Sequence, residues 1–236
     1  MGKMMEVPTS ENDIITFRRI RSAIGVLGIG LPIVLVILPA IEVFDTSVQP
    51  SISHFYYTNF RELFTGVLCA VGLFLIRYRG HKNPVIWKND SLLTNVAGVM
   101  AFGIAIFPTN PDYCSQKVYS LLPFCNGFLG GLHYAFAAVF FVVLAIISIN
   151  VFTIGQHDNA EIPISMFNEN RIYKTCGWFI LLFVALVPVL AHYEVSYGTL
   201  ICEALALFSF GFSWLIKGRA LGDKGMTGRM IYRENN

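Results

Sequence analysis

Charge is scarce in this chain. Asp, Glu, Lys and Arg make up 14% of its 236 residues, where soluble domains carry about a quarter. The 17 basic and 15 acidic residues nearly cancel, which excludes the strongly basic surface that a nucleic-acid partner requires. Cysteine is sparse as well, at five residues, and no two form a C-x-x-C pair of the kind used by zinc ribbons or thioredoxin-like centres. There is no H-E-x-x-H, no P-loop, no dinucleotide fingerprint and no haem motif. The G-x-S-x-G elbow of serine hydrolases is absent too. Between the apolar runs, no polar stretch is long enough to hold a soluble catalytic domain.

What fills the chain instead is apolar, at 55% of residues. Six runs stand out, near residues 22–42, 61–77, 91–108, 128–152, 175–191 and 199–216. Each approaches the roughly 20 residues that carry a helix across a bilayer. The basic residues sort onto alternate gaps between them. One set holds Lys3, Arg18, Arg19, Arg21, Arg77, Arg79, Lys82, Lys88, Arg171, Lys174, Lys217, Arg219, Lys224, Arg229 and Arg233; the other holds only Arg61 and Lys117. Positive charge collects on cytoplasmic loops. The pattern therefore predicts an all-α, six-helix transmembrane bundle with both termini cytoplasmic. Residues 1–236 form a single integral membrane domain ending in a loose cytoplasmic tail, 218–236. A multi-pass protein of a cell membrane, plasma or inner, is expected.

Finer expectations follow from residue type. The run from Ile24 to Ile41 is too long for a signal-peptide core and has no small-x-small cleavage site, so it is a retained helix, bent at Pro32 and Pro39. Ser10 with Asp13 resembles a capping box opening a short amphipathic helix ahead of it. Trp87, Trp178 and Trp214 fall at inner boundaries, and Tyr56, Tyr57, Tyr113, Tyr193 and Tyr197 at outer ones, as aromatic belts do. Small residues within the runs, among them Gly25, Gly28, Gly30, Gly66, Gly72, Gly98, Gly130 and Gly131, permit close helix approach. Cys114 and Cys125 share one outer loop, the oxidising side, and are expected to form a disulfide. Cys69, Cys176 and Cys202 are expected as buried thiols.

Ionisable residues within a bilayer mark functional sites by default. Glu203 lies five residues into the last run, roughly 7–8 Å along a helix from Gly198. His133 is similarly deep in the fourth run, and Arg61 and Glu62 open the second. All four fall in the outer half. The inner half offers only the polar Asn95. The expected site is therefore an outward-facing polar pocket around Arg61, Glu62, His133 and Glu203, with His54, Asp112, His192 and Glu194 at its rim. Arg61, Thr65 and Cys69 would form a polar stripe along one helical face. The turn from Gln49 to Tyr57, rich in hydroxyls and rings, supplies Ser53 and Tyr57.

Three chemistries fit these residues. An arginine among tyrosines and serines at the outer leaflet suits a lipid head group or small anionic ligand, bound without catalysis. His54, His133 and His192 with Asp112 could hold zinc with an open position for water, as in a zinc-dependent intramembrane hydrolase of lipid-like substrates. A purely structural cluster would pair Arg61 with Glu203 or Glu62 and tie His133 to a neighbouring helix. A proton-coupled transporter ranks lower, because nothing polar continues the path inward. Ser51 and Ser53 beside His54 are not assigned as nucleophiles. The leading expectation is a lipid or anion binder whose partners are membrane lipids, with no cofactor.

Short motifs add a resemblance. Pro50-Ser51-Ile52-Ser53 followed by Phe60-Arg61-Glu62-Leu63-Phe64, then Ile106-Phe107-Pro108-Thr109, Leu132-His133 and Phe212-Ser213-Trp214-Leu215-Ile216-Lys217-Gly218, resemble the six-span DRAM-like membrane-protein superfamily. The likeness is nearest to its bacterial domain-of-unknown-function relatives and covers most of residues 22–218. It implies a compact six-helix bundle and a role near lipids, and it supplies no catalytic residues. A second resemblance is to the ceramidase and progestin-receptor-like hydrolases, whose zinc site uses histidines, an aspartate and a serine. This chain departs from that group in lacking its H-x-x-x-H pair and its seventh helix.

Overall fold

The computed structural model describes residues 11–78, 80, 82–111, 114, 120–154 and 169–220, with side chains from residue 15 onward. Ser10, Asp112, Tyr113, Lys117 and the tail after residue 220 lie outside the described residues. Six α-helices run in chain order among the described residues: α1 (Glu11–Ile37), α2 (Arg61–Arg77), α3 (Asp90–Ile106), α4 (Gly127–Ile146), α5 (Glu169–His192) and α6 (Gly198–Lys217). Among the described residues there is no strand. Among the described residues four segments are long and apolar enough to cross a membrane: Ile15–Ala40, Gly127–Val151, Glu169–His192 and Gly198–Lys217. The chain is a membrane protein.

Local chemistry sets several boundaries. Asn89 caps α3, its side chain accepting from the Leu92 amide at 3.1 Å. Asn126 caps α4, accepting from Phe128 and Leu129. Each thereby satisfies amides that a helix start leaves unpaired. The first helix differs from expectation at both ends. Among the described residues it is continuous from Glu11, and it stops at Ile37, before a 3-10 turn containing Pro39. Proline lacks the N–H that would extend the ladder there. The fourth apolar run continues past α4 as a π-helical turn, Ile147–Val151.

Each helix packs on the next, and α6 returns to pack on α1, closing the order. Two crossings bring backbones together. A Cβ on Gly25 would lie 2.7 Å from the Gly211 carbonyl oxygen, and one on Gly211 would lie 2.6 Å from that of Gly25. Gly72 of α2 and Gly98 of α3 make the same reciprocal contact, at 3.0 and 2.7 Å. Where the medium is as apolar as the side chains, such backbone proximity is a main source of helix attraction. Gly30, Gly66 and Gly131 face open space and take no part.

The core is aliphatic and aromatic, with Leu35, Phe64, Leu75, Phe140, Leu144, Ile180, Phe210 and Trp214 buried. Each helix also exposes a large apolar side chain, among them Val26, Leu73, Val99, Val139, Leu182 and Ile201. Trp87 and Trp178 are exposed, as boundary residues should be, but Trp214 is fully buried against Tyr78, Phe152 and Phe210. Tyr56 is buried too, while Tyr193 and Tyr197 are exposed. Position along a helix predicts membrane depth. The direction in which a side chain points depends on helix rotation, and for Trp214 and Tyr56 rotation decided.

At one end of the helices, basic residues meet. Arg21 of α1 donates to the Tyr78 hydroxyl at 2.6 Å, and that hydroxyl donates to buried Asp90 of α3 at 3.0 Å. Lys217 of α6 donates to the Phe152 carbonyl at 2.8 Å and lies over the Phe152 and Tyr173 rings. Deeper in, the Ser148 and Ser213 hydroxyls pair at 3.1 Å. Arg21, Asp90 and Lys217 lie just outside the expected runs, at their ends, and the Ser148–Ser213 pair lies within them. Asn95 itself is exposed.

Candidate functional site

The opposite end is organised by the segment between α1 and α2. From Asp45 to Ser51 it has no helical hydrogen-bond pattern, then it forms a 3-10 turn, Ser53–Tyr57. A short turn leaves many backbone and hydroxyl groups without internal partners. Here those groups reach outward to the surrounding helices. The Pro50 carbonyl accepts from the Leu200 amide in the first turn of α6 at 3.0 Å. The Ile52 amide donates to the Glu203 carboxylate, one turn further along α6, at 2.6 Å. That distance is short for an N–H···O hydrogen bond. Glu203 is thus tied to backbone.

On the other side the turn meets α4. His133 is buried, at 1% exposure. Its Nδ1 lies 2.8 Å from the Phe107 carbonyl oxygen, which can only accept, so Nδ1 carries the proton. In the neutral ring Nε2 is then the acceptor, and it receives the Ser53 hydroxyl at 2.9 Å. Ser53 and His133 are separated by 80 residues. A second serine–histidine contact is local: Ser51 Oγ lies 2.6 Å from Nδ1 of His54, three residues on.

Tyrosines complete the surround. The Tyr56 hydroxyl pairs with that of Ser120 at 2.6 Å, and the Tyr57 hydroxyl donates to the Thr109 carbonyl. The Thr109 hydroxyl in turn donates to Tyr134 at 3.2 Å. Burial, followed by the neighbouring Tyr56 and Tyr134, pushes the Tyr57 pKa up, so it stays a neutral donor. Arg61, at the first position of α2, lies with its guanidinium 4.7 Å from the Tyr56 ring centre, and Nη2 reaches the Tyr56 hydroxyl at 3.5 Å. Guanidinium over an aromatic face is a favourable, partly desolvated placement.

The structure therefore brings together Arg61, His133, Glu203, Ser53, Tyr57 and His54, all linked through residues 50–61. Glu62 is exposed in the first turn of α2 and shows no such link. Thr65, one turn after Arg61 on the same face of α2, donates its hydroxyl to the Arg61 carbonyl at 2.8 Å. His192, the last residue of α5, and Glu194, in the turn that follows, are both exposed, and His192 packs edge-on against Tyr193. Asp112 lies outside the described residues. Among the described residues no three His, Cys, Asp or Glu side chains form a group able to hold a metal. Both ring nitrogens of His133 already have partners, so the zinc alternative draws no support from this geometry.

Beside the cluster, Cys114 and Cys125 are joined with their sulfurs at bonding distance and their Cα atoms 5.7 Å apart. On the far flank a groove of about 400 Å³ opens between α5 and α6, lined by Arg171, Thr175, Phe179, Phe208, Ser209 and Phe212. Sequence reasoning singled out the Ser-rich turn. It missed what the turn binds, because no local pattern encodes contacts across 80 or 151 residues.

Compared with protein-family models, with curated proteins and with solved structures, the chain matches none.

Proposed function

We propose that this chain is a six-span membrane protein with both termini cytoplasmic, and that it holds an anionic lipid head group, or a small anion of the same chemistry, at the outer end of its helices. α2 and α3 are 17 residues each, about 25 Å of helix, which is at the short end of the spanning range. The apolar side chains they expose, Leu73 and Val99, favour lipid contact. The sorting of 15 basic residues onto one set of gaps and two onto the other supports that orientation.

The observation that carries the ligand reading is Arg61 over the Tyr56 ring, whose hydroxyl pairs with that of Ser120. A guanidinium presents donors in a fork that matches phosphate oxygens. The exposed aromatic and aliphatic flanks would receive the acyl chains. The site needs no cofactor for this role.

The test is native mass spectrometry of the purified chain with phosphatidylglycerol and with phosphatidylcholine. Wild type should retain the anionic lipid preferentially, Arg61→Ala should lose that preference, and Arg171→Ala, at the α5–α6 groove, should keep it. Equal retention by wild type and Arg61→Ala sinks the assignment.

A further inference from the structure

We propose that Ser53 and His133 form a nucleophile–base pair that cleaves an ester of the lipid held beside Arg61. The inference rests on the binding assignment for its substrate but on separate atoms for its chemistry. Nucleophilic catalysis by serine needs a hydroxyl donating to an imidazole nitrogen at about 2.6–3.2 Å, with the imidazole oriented by a third group on its other nitrogen. Ser53 meets the first condition at 2.9 Å from Nε2. The Phe107 carbonyl meets the second at 2.8 Å from Nδ1 and fixes the tautomer that leaves Nε2 free to take a proton. The base is shielded at 1% exposure while the serine, at the first position of the 3-10 turn, is partly exposed. A reachable nucleophile with a buried base is the arrangement the chemistry requires.

The turn that carries Ser53 is tied to α6 at two points, to Glu203 through the Ile52 amide and to Leu200 through the Pro50 carbonyl. Those bonds make Glu203 a positioning residue. In the reaction the Ser53 oxygen attacks the ester carbonyl carbon as its proton passes to His133 Nε2. The ester C–O bond then breaks, and the departing alcohol takes that proton. Water attacks the acyl-serine, His133 accepts and returns the proton, and the products are a carboxylic acid, an alcohol and the restored serine. The transient imidazolium is stabilised through Nδ1–H by the Phe107 carbonyl. The local Ser51–His54 contact lacks this arrangement: His54 Nδ1 is the atom at Ser51, which is itself buried.

A long-chain alkyl fluorophosphonate tests the pair on the full chain in detergent, with intact mass and peptide mapping as readouts. Wild type should gain one adduct, on Ser53, and Ser51→Ala should gain it too. Ser53→Ala should gain none while eluting as a folded species, and His133→Gln should label at least ~100-fold more slowly. No adduct on Ser53 in folded wild type overturns the proposal, as does a rate unchanged in His133→Gln. Lipid retention measured on the same samples separates the two ideas. Arg61-dependent retention without labelling leaves the binder and removes the enzyme, whereas labelling without retention does the reverse.

Discussion

Replacing Gly25 or Gly211 by alanine should weaken the fold, although alanine is the better helix former. In a helix interior, glycine to alanine gains up to about 1 kcal/mol from backbone entropy. At the α1–α6 crossing that gain is overwhelmed. The new methyl would sit 2.6–2.7 Å from a carbonyl oxygen and a side-chain carbon of the facing helix, against 3.4–4 Å for ordinary contact. The helices would have to separate by roughly 0.7 Å or more, and close-packed interiors resist such shifts at about 1–3 kcal/mol. The obstacle is largely backbone, which cannot rotate away. Gly30 and Gly66 are internal controls, since nothing lies within 4 Å of a Cβ at either. Thermal unfolding in detergent, followed by loss of the monodisperse peak on size-exclusion chromatography, provides the assay. Gly30→Ala and Gly66→Ala should match or exceed wild type, while Gly25→Ala and Gly211→Ala fall several degrees below it. The double variant should cost less than the sum of the singles, because both methyls push apart the same pair of backbones. If all four single variants behave alike, the packing argument is wrong.

Three further outcomes follow from the same structure. Glu203→Ala should destabilise by about 1–3 kcal/mol, because the Ile52 amide loses its acceptor; Glu203→Gln, which keeps an oxygen there, should lose less in the same thermal assay. Tyr78→Phe should also be destabilising, by on the order of 1–3 kcal/mol, since one hydroxyl serves both Arg21 and Asp90. Burial, and then the nearby Asp90, pushes the Tyr78 hydroxyl up to about 12. Its contribution to stability is therefore complete below the ordinary tyrosine value near 10 and is lost as pH rises toward 12, a decline that the Phe variant should lack. Cys114 and Cys125 should resist alkylation until reduced, and Cys114→Ser with Cys125→Ser should cost about 3 kcal/mol for a loop this short.

The six apolar runs and the sorting of arginine and lysine among them are properties of a one-dimensional string, and they located every helix: α2 coincides with residues 61–77, and α3, α4 and α6 agree within a few residues. The Cys114–Cys125 pairing was legible for the same reason, as two thiols within one short loop. Depth along each helix was legible too, so His133 and Glu203 were expected at one end. Rotation and partnership were not. Trp214 belongs to the core and Glu62 to the surface because each helix turns a particular face inward. Glu203 takes the Ile52 amide, and His133 takes Ser53 and the Phe107 carbonyl. The sequence determined how many helices form and which residues lie at each end, because hydropathy and charge act segment by segment. Only the tertiary structure decided which polar groups meet, since a hydrogen bond depends on distances of a few tenths of an ångström between segments that the chain keeps far apart.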